Sequence, residues 1–438
     1  MCQRVVTVVA AFCLLQGTFA EADSEWPQFR GPDGQGNVED GAPLEWSEDS
    51  GVIWKTEIPG RGWSSPVVQG DRIWMTTAIE RAADRDELKE RTKGSPTANA
   101  MELASEVSLR VVCVDRNSGH LLHDKEVLHV EKPDPIHSLN SYASPTPVVE
   151  PGRLYCHFGC YGTVCLDTSD MSEVWQRKFP NDHFVGPGSS PVLCDNLLVL
   201  TCDGGYKQYV VAVDKQTGKT VWKKDRPPIR STNPDCKKSY CTPLVIEEDG
   251  EKQIVIPGAQ WIIAYAPEDG REIWTFDHGA GFSLVPRPVV DEEHIYCCTG
   301  YTGDKLLAIR RGGSGDVTKT HFDWDHGQQV PHQPSPVLHN GRLFIVSDNG
   351  IGQCLEASTG EVVWKKRLAG NYSASPLLVS DRLYFFSREG TATVVDANSD
   401  KGEELAINEL DGGYMATPAV VDGQLIARTE KHLYAIGE

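Results

Sequence analysis

Residues 190–225 read SPVLCDNLLVLTCDGGYKQYVVAVDKQTGKTVWKKD, and this stretch predicts four short strands in succession. Pro191 opens the first, where a missing N–H leaves no ladder partner unmet. A tight Asp195-Asn196 turn leads to the second strand, and YKQYVVAVD gives a third that ends at Asp214. KQTG then supplies a hairpin turn whose Gly218 takes positive φ at no steric cost. TVWKKD is the fourth strand, and its Trp222 carries enough apolar area to pack one such unit on the next.

The same grammar runs outward in both directions. Prolines open comparable strands at Pro66, Pro147, Pro191, Pro243, Pro288, Pro336, Pro376 and Pro418, 40 to 52 residues apart except for one first gap of 81. The third turns recur as DRNSG (Asp115–Gly119), PEDG (Pro267–Gly270) and EASTG (Glu356–Gly360), and the fourth-strand tryptophan recurs as Trp175, Trp274, Trp324 and Trp364. A period of this length built from short strands predicts an all-β, eight-bladed β-propeller of four-stranded blades. The last unit, Thr417 to Glu438, has room for only three strands, and VIWKT at Val52–Thr56 matches the missing fourth. The N-terminal strand is therefore expected to complete the last blade and remove the open edge.

This organisation divides the chain into a leader over 1–22, an N-terminal extension over 23–51 and the propeller over 52–438. An insertion over 79–108 lies between the second and third strands of the first blade. Its ERAADRDELKERTK segment has the charge and helix formers of a solvated helix or mobile loop placed to cap the channel mouth. In the leader, Arg4 precedes an apolar core from Val5 to Leu15, with small residues to Ala22, the pattern of a secretory signal and too short for a membrane span. The chain is expected to be exported, periplasmic or secreted from a bacterium, and to act as a monomer. A formal net charge of −20 excludes nucleic acid as a partner, because that surface must be basic.

The recurrent pattern, SPVV at Ser65–Val68, GDRIW at Gly70–Trp74 and VVAVDKQTGKTVWK at Val210–Lys223, resembles the pyrroloquinoline-quinone (PQQ)-like propeller repeat. That repeat is shared by quinoprotein dehydrogenases and the propeller lipoprotein of the outer-membrane barrel-assembly machinery. The resemblance covers about Val52 to Glu438 and marks blade packing rather than chemistry. It implies two readings. One is a non-enzymatic scaffold or binding module that presents its loop face to an envelope protein or a polar small molecule, with no cofactor expected. The other is an alcohol or sugar dehydrogenase dependent on PQQ and assisted by calcium.

The residues decide little between them. Cys297-Cys298 resembles the adjacent pair that forms a disulfide beside the cofactor in some quinoproteins, yet HIYCC aligns with RIWMT and RLFIV, which makes both cysteines strand core. Cys113, Cys165 and Cys354 align with Ala212, Ala264 and Ala308 as small buried residues. Cys156 and Cys165 are placed for a possible cross-strand bridge. No haem attachment motif or helical zinc pair occurs, Ser64-Ser65 and Ser189-Ser190 are repeat consensus without a nucleophile elbow, and Arg310–Asp316 is a hairpin loop. The calcium ligands and catalytic aspartate of the quinoproteins match no local motif. What remains is the set of loops before the inner strands, which a propeller gathers on one face. They bring Arg61, Trp63, His137, Asn140, His183, Lys238, Tyr240, Arg287, His332, Asn371, Tyr372 and Tyr414 toward the channel mouth, joined by Asp203, Trp261 and Asp348 from the second-to-third strand loops. These are the candidate ligand-binding residues; no metal ligand and no catalytic residue is assigned.

Overall fold

A computed structural model describes residues 25–39, 41–94 and 97–437. The leader expected over 1–22 lies outside them. Eight four-stranded antiparallel sheets form the blades of a propeller, with strand order running from the channel outward in chain order in all but the last. The unit that opened the sequence reading is Val192–Cys194, Leu197–Asp203, Gln208–Asp214 and Thr220–Asp225. The last blade pairs Val52–Glu57 with His432–Ile436, so the N-terminal strand closes the ring as expected.

The fourth-strand tryptophans explain the repeat. Trp175, Trp222, Trp274, Trp324 and Trp364 each stand opposite Cys or Ala on the third strand (Cys165, Ala212, Ala264, Ala308, Cys354), and the register shifts directly after each pair. A small residue opposite leaves room for the indole, and the bulge turns it toward the following blade. In three of the five the N–H donates there to a turn carbonyl, Trp175 to Lys215 at 2.9 Å, Trp222 to Pro267 at 2.7 Å and Trp324 to Ala357 at 3.0 Å, whereas Trp274 donates to Gln253 Oε1 of its own blade at 3.1 Å. The closing strand follows the three, with Trp54 donating to Arg116 of the first blade at 2.7 Å.

The cysteines are packing residues. Among the described residues every cysteine is a free thiol. Cys297 and Cys298 point to opposite faces of one strand, into separate apolar clusters, which rules out the adjacent disulfide. The possible Cys156–Cys165 bridge fails for the same reason: Cys165 pairs with Tyr155 and Cys156 with Val164, so the two sulfurs lie on opposite faces.

The insertion is partly sheet. The second and third strands of the first blade extend to Arg72–Ala82 and Ala104–Asp115, pairing Ile79 with Ser108 and Ala82 with Ala104. Beyond them, Asp84 caps a solvated helix over Arg85–Arg91, and Met101–Glu102 pairs with Ile136–His137 of the next loop.

The extension has a role that periodicity could not show. Residues 26–38 cross the channel at the end away from the proline loops. Trp26 pairs with Val68 of the first blade, and the Pro27 carbonyl accepts from Val149 of the second. On the far side, Asn37–Val38 adds a parallel strand to Leu377–Val379, the innermost strand of the seventh blade. The chain then leaves the channel between the last two blades, where the Trp46 amide donates to Asn408 Oδ1 at 2.7 Å, and becomes the closing strand.

Candidate functional site

The residue before each opening proline stands at the head of an innermost strand. Seven of these eight are Ser or Thr, and Arg287 is the exception. Their hydroxyls form a belt around the channel, six of the seven accepting from the backbone N–H of the same position one blade earlier. Ser65 donates to Thr146 (3.0 Å), Thr146 to Ser190 (2.9 Å) and Ser190 to Thr242 (3.1 Å). The belt resumes with Arg287 to Ser335 (3.0 Å), Ser335 to Ser375 (3.0 Å) and Ser375 to Thr417 (2.9 Å). It is interrupted where Arg287 carries no hydroxyl, and again between Thr417 and Ser65, whose buried Oγ has no partner.

Above the belt the channel widens into a cup of about 400 Å³, open at the loop face. Phe29 of the crossing segment lines it from below, belt hydroxyls such as Ser65, Thr146 and Ser190 line its wall, and Trp63, Phe282 and Tyr301 give it aromatic surface. Thr97 of the insertion also reaches this lining.

Five expected residues line the cup: Trp63, His137, Asn140, Lys238 and Tyr240. Asn140 Nδ2 donates to the Val185 carbonyl at 2.9 Å, which pins its loop to the next one. Lys238 is almost fully buried, pairs with Asp235, and has Nζ 5.5 Å from the Phe184 ring centre. Tyr240 donates its hydroxyl to the His183 carbonyl. Burial, with the nearby Lys238 and Arg388 charges, holds His137 below the usual imidazole range.

The other expected residues are placed around the cup rather than on its lining. Arg61 is engaged by Glu80 at 2.9 Å and Glu102 at 2.6 Å, tying the insertion to the blade. His183 is buried with Nε2 accepting from the Cys160 amide, and burial lowers its pKa to about 4. Trp261 donates to Pro228 and Asn371 to Glu389. Tyr372 and Tyr414 are fully buried in blade packing. His332 sits between Asp304 (2.8 Å) and Asp348 (3.4 Å), stacked on Tyr301 with ring centres 4.1 Å apart. Asp203 is sequestered in a buried pair with Arg226 at 2.7 Å. Arg287 points down the channel, where Nη1 donates to the Phe29 carbonyl at 2.7 Å. These loops satisfy their own backbone and neighbours first, and that is why sharing a face did not bring every polar residue to one cavity.

Sequence reading missed the belt and Phe29. The Ser/Thr-Pro pairs carried the first signal but read as repeat consensus. WPQFRGPDGQGN at Trp26–Asn37 carried the second, an apolar and glycine-rich run without period.

Fold and cup together define a closed propeller with a one-ended central receptacle. The chain belongs to the PQQ-like repeat family described as outer membrane protein assembly factor BamB, whose model matches residues 44–224 and 258–405. It is 27% identical over 165 residues to the outer membrane protein assembly factor BamB of Legionella pneumophila (strain Paris), a match spanning 35% of this chain and 39% of that relative. Among solved structures, BamB from Moraxella catarrhalis superposes with a TM-score of 0.58 at 12% identity, covering 88% of this chain and 99% of that one. Quinohemoprotein alcohol dehydrogenase from Comamonas testosteroni superposes at 0.65 with 11% identity, covering 94% and 80%. At such identities the likeness is one of fold.

Proposed function

We propose that this chain is an exported, non-catalytic binding module of the bacterial envelope that receives a polar small molecule in its cup and presents its loop face to an envelope protein. The observation that carries the reading is the cup itself: one-ended, of a volume ordinary for small-molecule sites, and lined by hydroxyls and aromatic rings. Membership of the BamB family supports the envelope partner. Among the described residues no helix is long and apolar enough to cross a membrane.

The dehydrogenase reading finds less support in the donor set. Calcium takes six to eight oxygen ligands with carboxylates among them. Asp235 is the one carboxylate on the cup lining, and Lys238 already holds it. No group of three or more His, Cys, Asp or Glu among the described residues is placed to hold a metal ion. The residues therefore do not fit a calcium-assisted quinone.

Two measurements test the proposal. Purified protein is titrated with PQQ and Ca²⁺ while the quinone absorbance and dye-linked alcohol and sugar oxidation are followed; a stoichiometric complex with turnover overturns the binding-module reading. Crosslinking in envelope extracts is expected to recover a specific protein partner, and recovery of none counts against the loop-face assignment.

A further inference from the structure

The crossing segment is tied to the channel wall at both ends, by Trp26 to the first blade and by Asn37–Val38 to the seventh, and by a small set of side-chain contacts between them. Arg287, the one belt position without a hydroxyl, clasps it through Nη1 to the Phe29 carbonyl, while its Nε is anchored on the Pro243 carbonyl of the fourth blade at 3.1 Å. Gly34 lies flat against that guanidinium, and a Cβ there would meet Nη1 at 2.0 Å. Arg30, fully buried, reaches the Pro336 carbonyl at 2.7 Å, and its Nε and Nη1 have no partner. Gln35 Oε1 accepts from Val290 at 3.0 Å, and Leu378 and Ser380 donate to Gly36 and Val38.

We infer that residues 26–38 form a releasable bung, latched by Arg287, that converts an open propeller channel into a one-ended cup, and that Phe29 sets the depth to which a ligand enters. The role of Phe29 rests on the binding reading above; the latch does not. Two features weaken the hold on the middle and far end of this segment. It shares only a two-residue ladder with the seventh blade, and it seats one guanidinium beside another. Burial lowers Arg30 to about 9, with Arg287 adding to the effect, and burial lowers Arg287 to about 10. Arg30 Nε and Nη1, buried without a partner, carry a desolvation cost that opening of the segment would relieve, and local openings begin where the native hold is weakest. Arg287 is also the replaceable element, because the other seven blades carry Ser or Thr there and close without a latch.

The full chain is examined by hydrogen exchange and by trypsin, neither of which requires a cup ligand. In the unmodified protein, the amides bonded to the segment (Val149, Leu378 and Ser380) are expected to exchange together and at least tenfold faster than ladder amides such as Val211. Exchange of these amides only at the global unfolding rate overturns the bung. In Arg287→Ser and, independently, Gly34→Ala, cleavage after Arg30 is expected to accelerate at least tenfold relative to cleavage in the exposed helix over Arg85–Arg91. Unchanged protection of Arg30 in whichever variants fold overturns the latch. For depth, Phe29→Ala is expected to raise the fluorescence of added 8-anilinonaphthalene-1-sulfonate severalfold over the unmodified protein. Equal fluorescence removes the assignment of Phe29 while leaving the latch result standing.

Discussion

The indole of Trp175 lies against Gly218 of the following blade, so closely that a Cβ on that glycine would fall 2.7 Å from the ring. Gly218 also has φ +67°. Gly218→Ala therefore meets a left-handed backbone and a blocked contact together, and is expected to destabilise the fold by about 1–3 kcal/mol. Urea denaturation measures it. A loss below about 0.5 kcal/mol would mean the blade junction tolerates separation and the docking account is wrong.

The hydroxyl belt makes a prediction of its own. Thr146→Val keeps the shape but removes the acceptor for the Ser65 amide, leaving a buried donor unmet at about 1–3 kcal/mol. The same measurement on Ser118→Ala, at an exposed turn, serves as the comparison and is expected to show a smaller loss.

Asp203 and Arg226 are each almost completely excluded from solvent. Asp203→Asn strands the guanidinium and is expected to cost about 3–5 kcal/mol. A double variant replacing both residues with apolar ones of similar volume should recover much of that loss. No recovery would show that the pair contributes through geometry other than charge.

His332 gives a pH dependence. Burial opposes its protonation, but hydrogen bonds to Asp348 and Asp304 outweigh this and raise its pKa above the ordinary 6.5. The protonated form is thus favoured in the fold. Its contribution is fully present below about pH 6.5 and is lost as pH rises through the raised value. Melting temperature is expected to fall over that window more steeply in the unmodified protein than in His332→Gln. Parallel curves would remove His332 as the source.

His183 acts in the opposite sense. Its pKa is lowered to about 4 by burial, so it folds as the neutral imidazole. Stability is expected to decline as pH falls from about 6.5 toward about 4, where the unfolded chain takes up a proton that the folded one refuses. His183→Gln should flatten that decline in the melting temperature.

What sequence alone determined follows from repetition. Proline-opened strands, positive-φ glycines and regularly spaced tryptophans are local devices, and eight copies make even decayed ones legible. The same alignment matched Val52–Thr56 to the gap in the last blade and reduced Cys297-Cys298 to strand core, both as the structure has them. The insertion was located but part of it is ladder, because alternation in AIERA and ASEVSL is weak beside the charge of the helix between them. Tertiary structure alone decided the cup. Arg287 and Tyr414 occupy equivalent loop regions, yet one reaches down the channel and the other packs in a blade, since each side chain follows whichever partner is nearest in space. Phe29 and Arg30 meet Arg287 from more than 250 residues away, and no periodic signal records a contact made once.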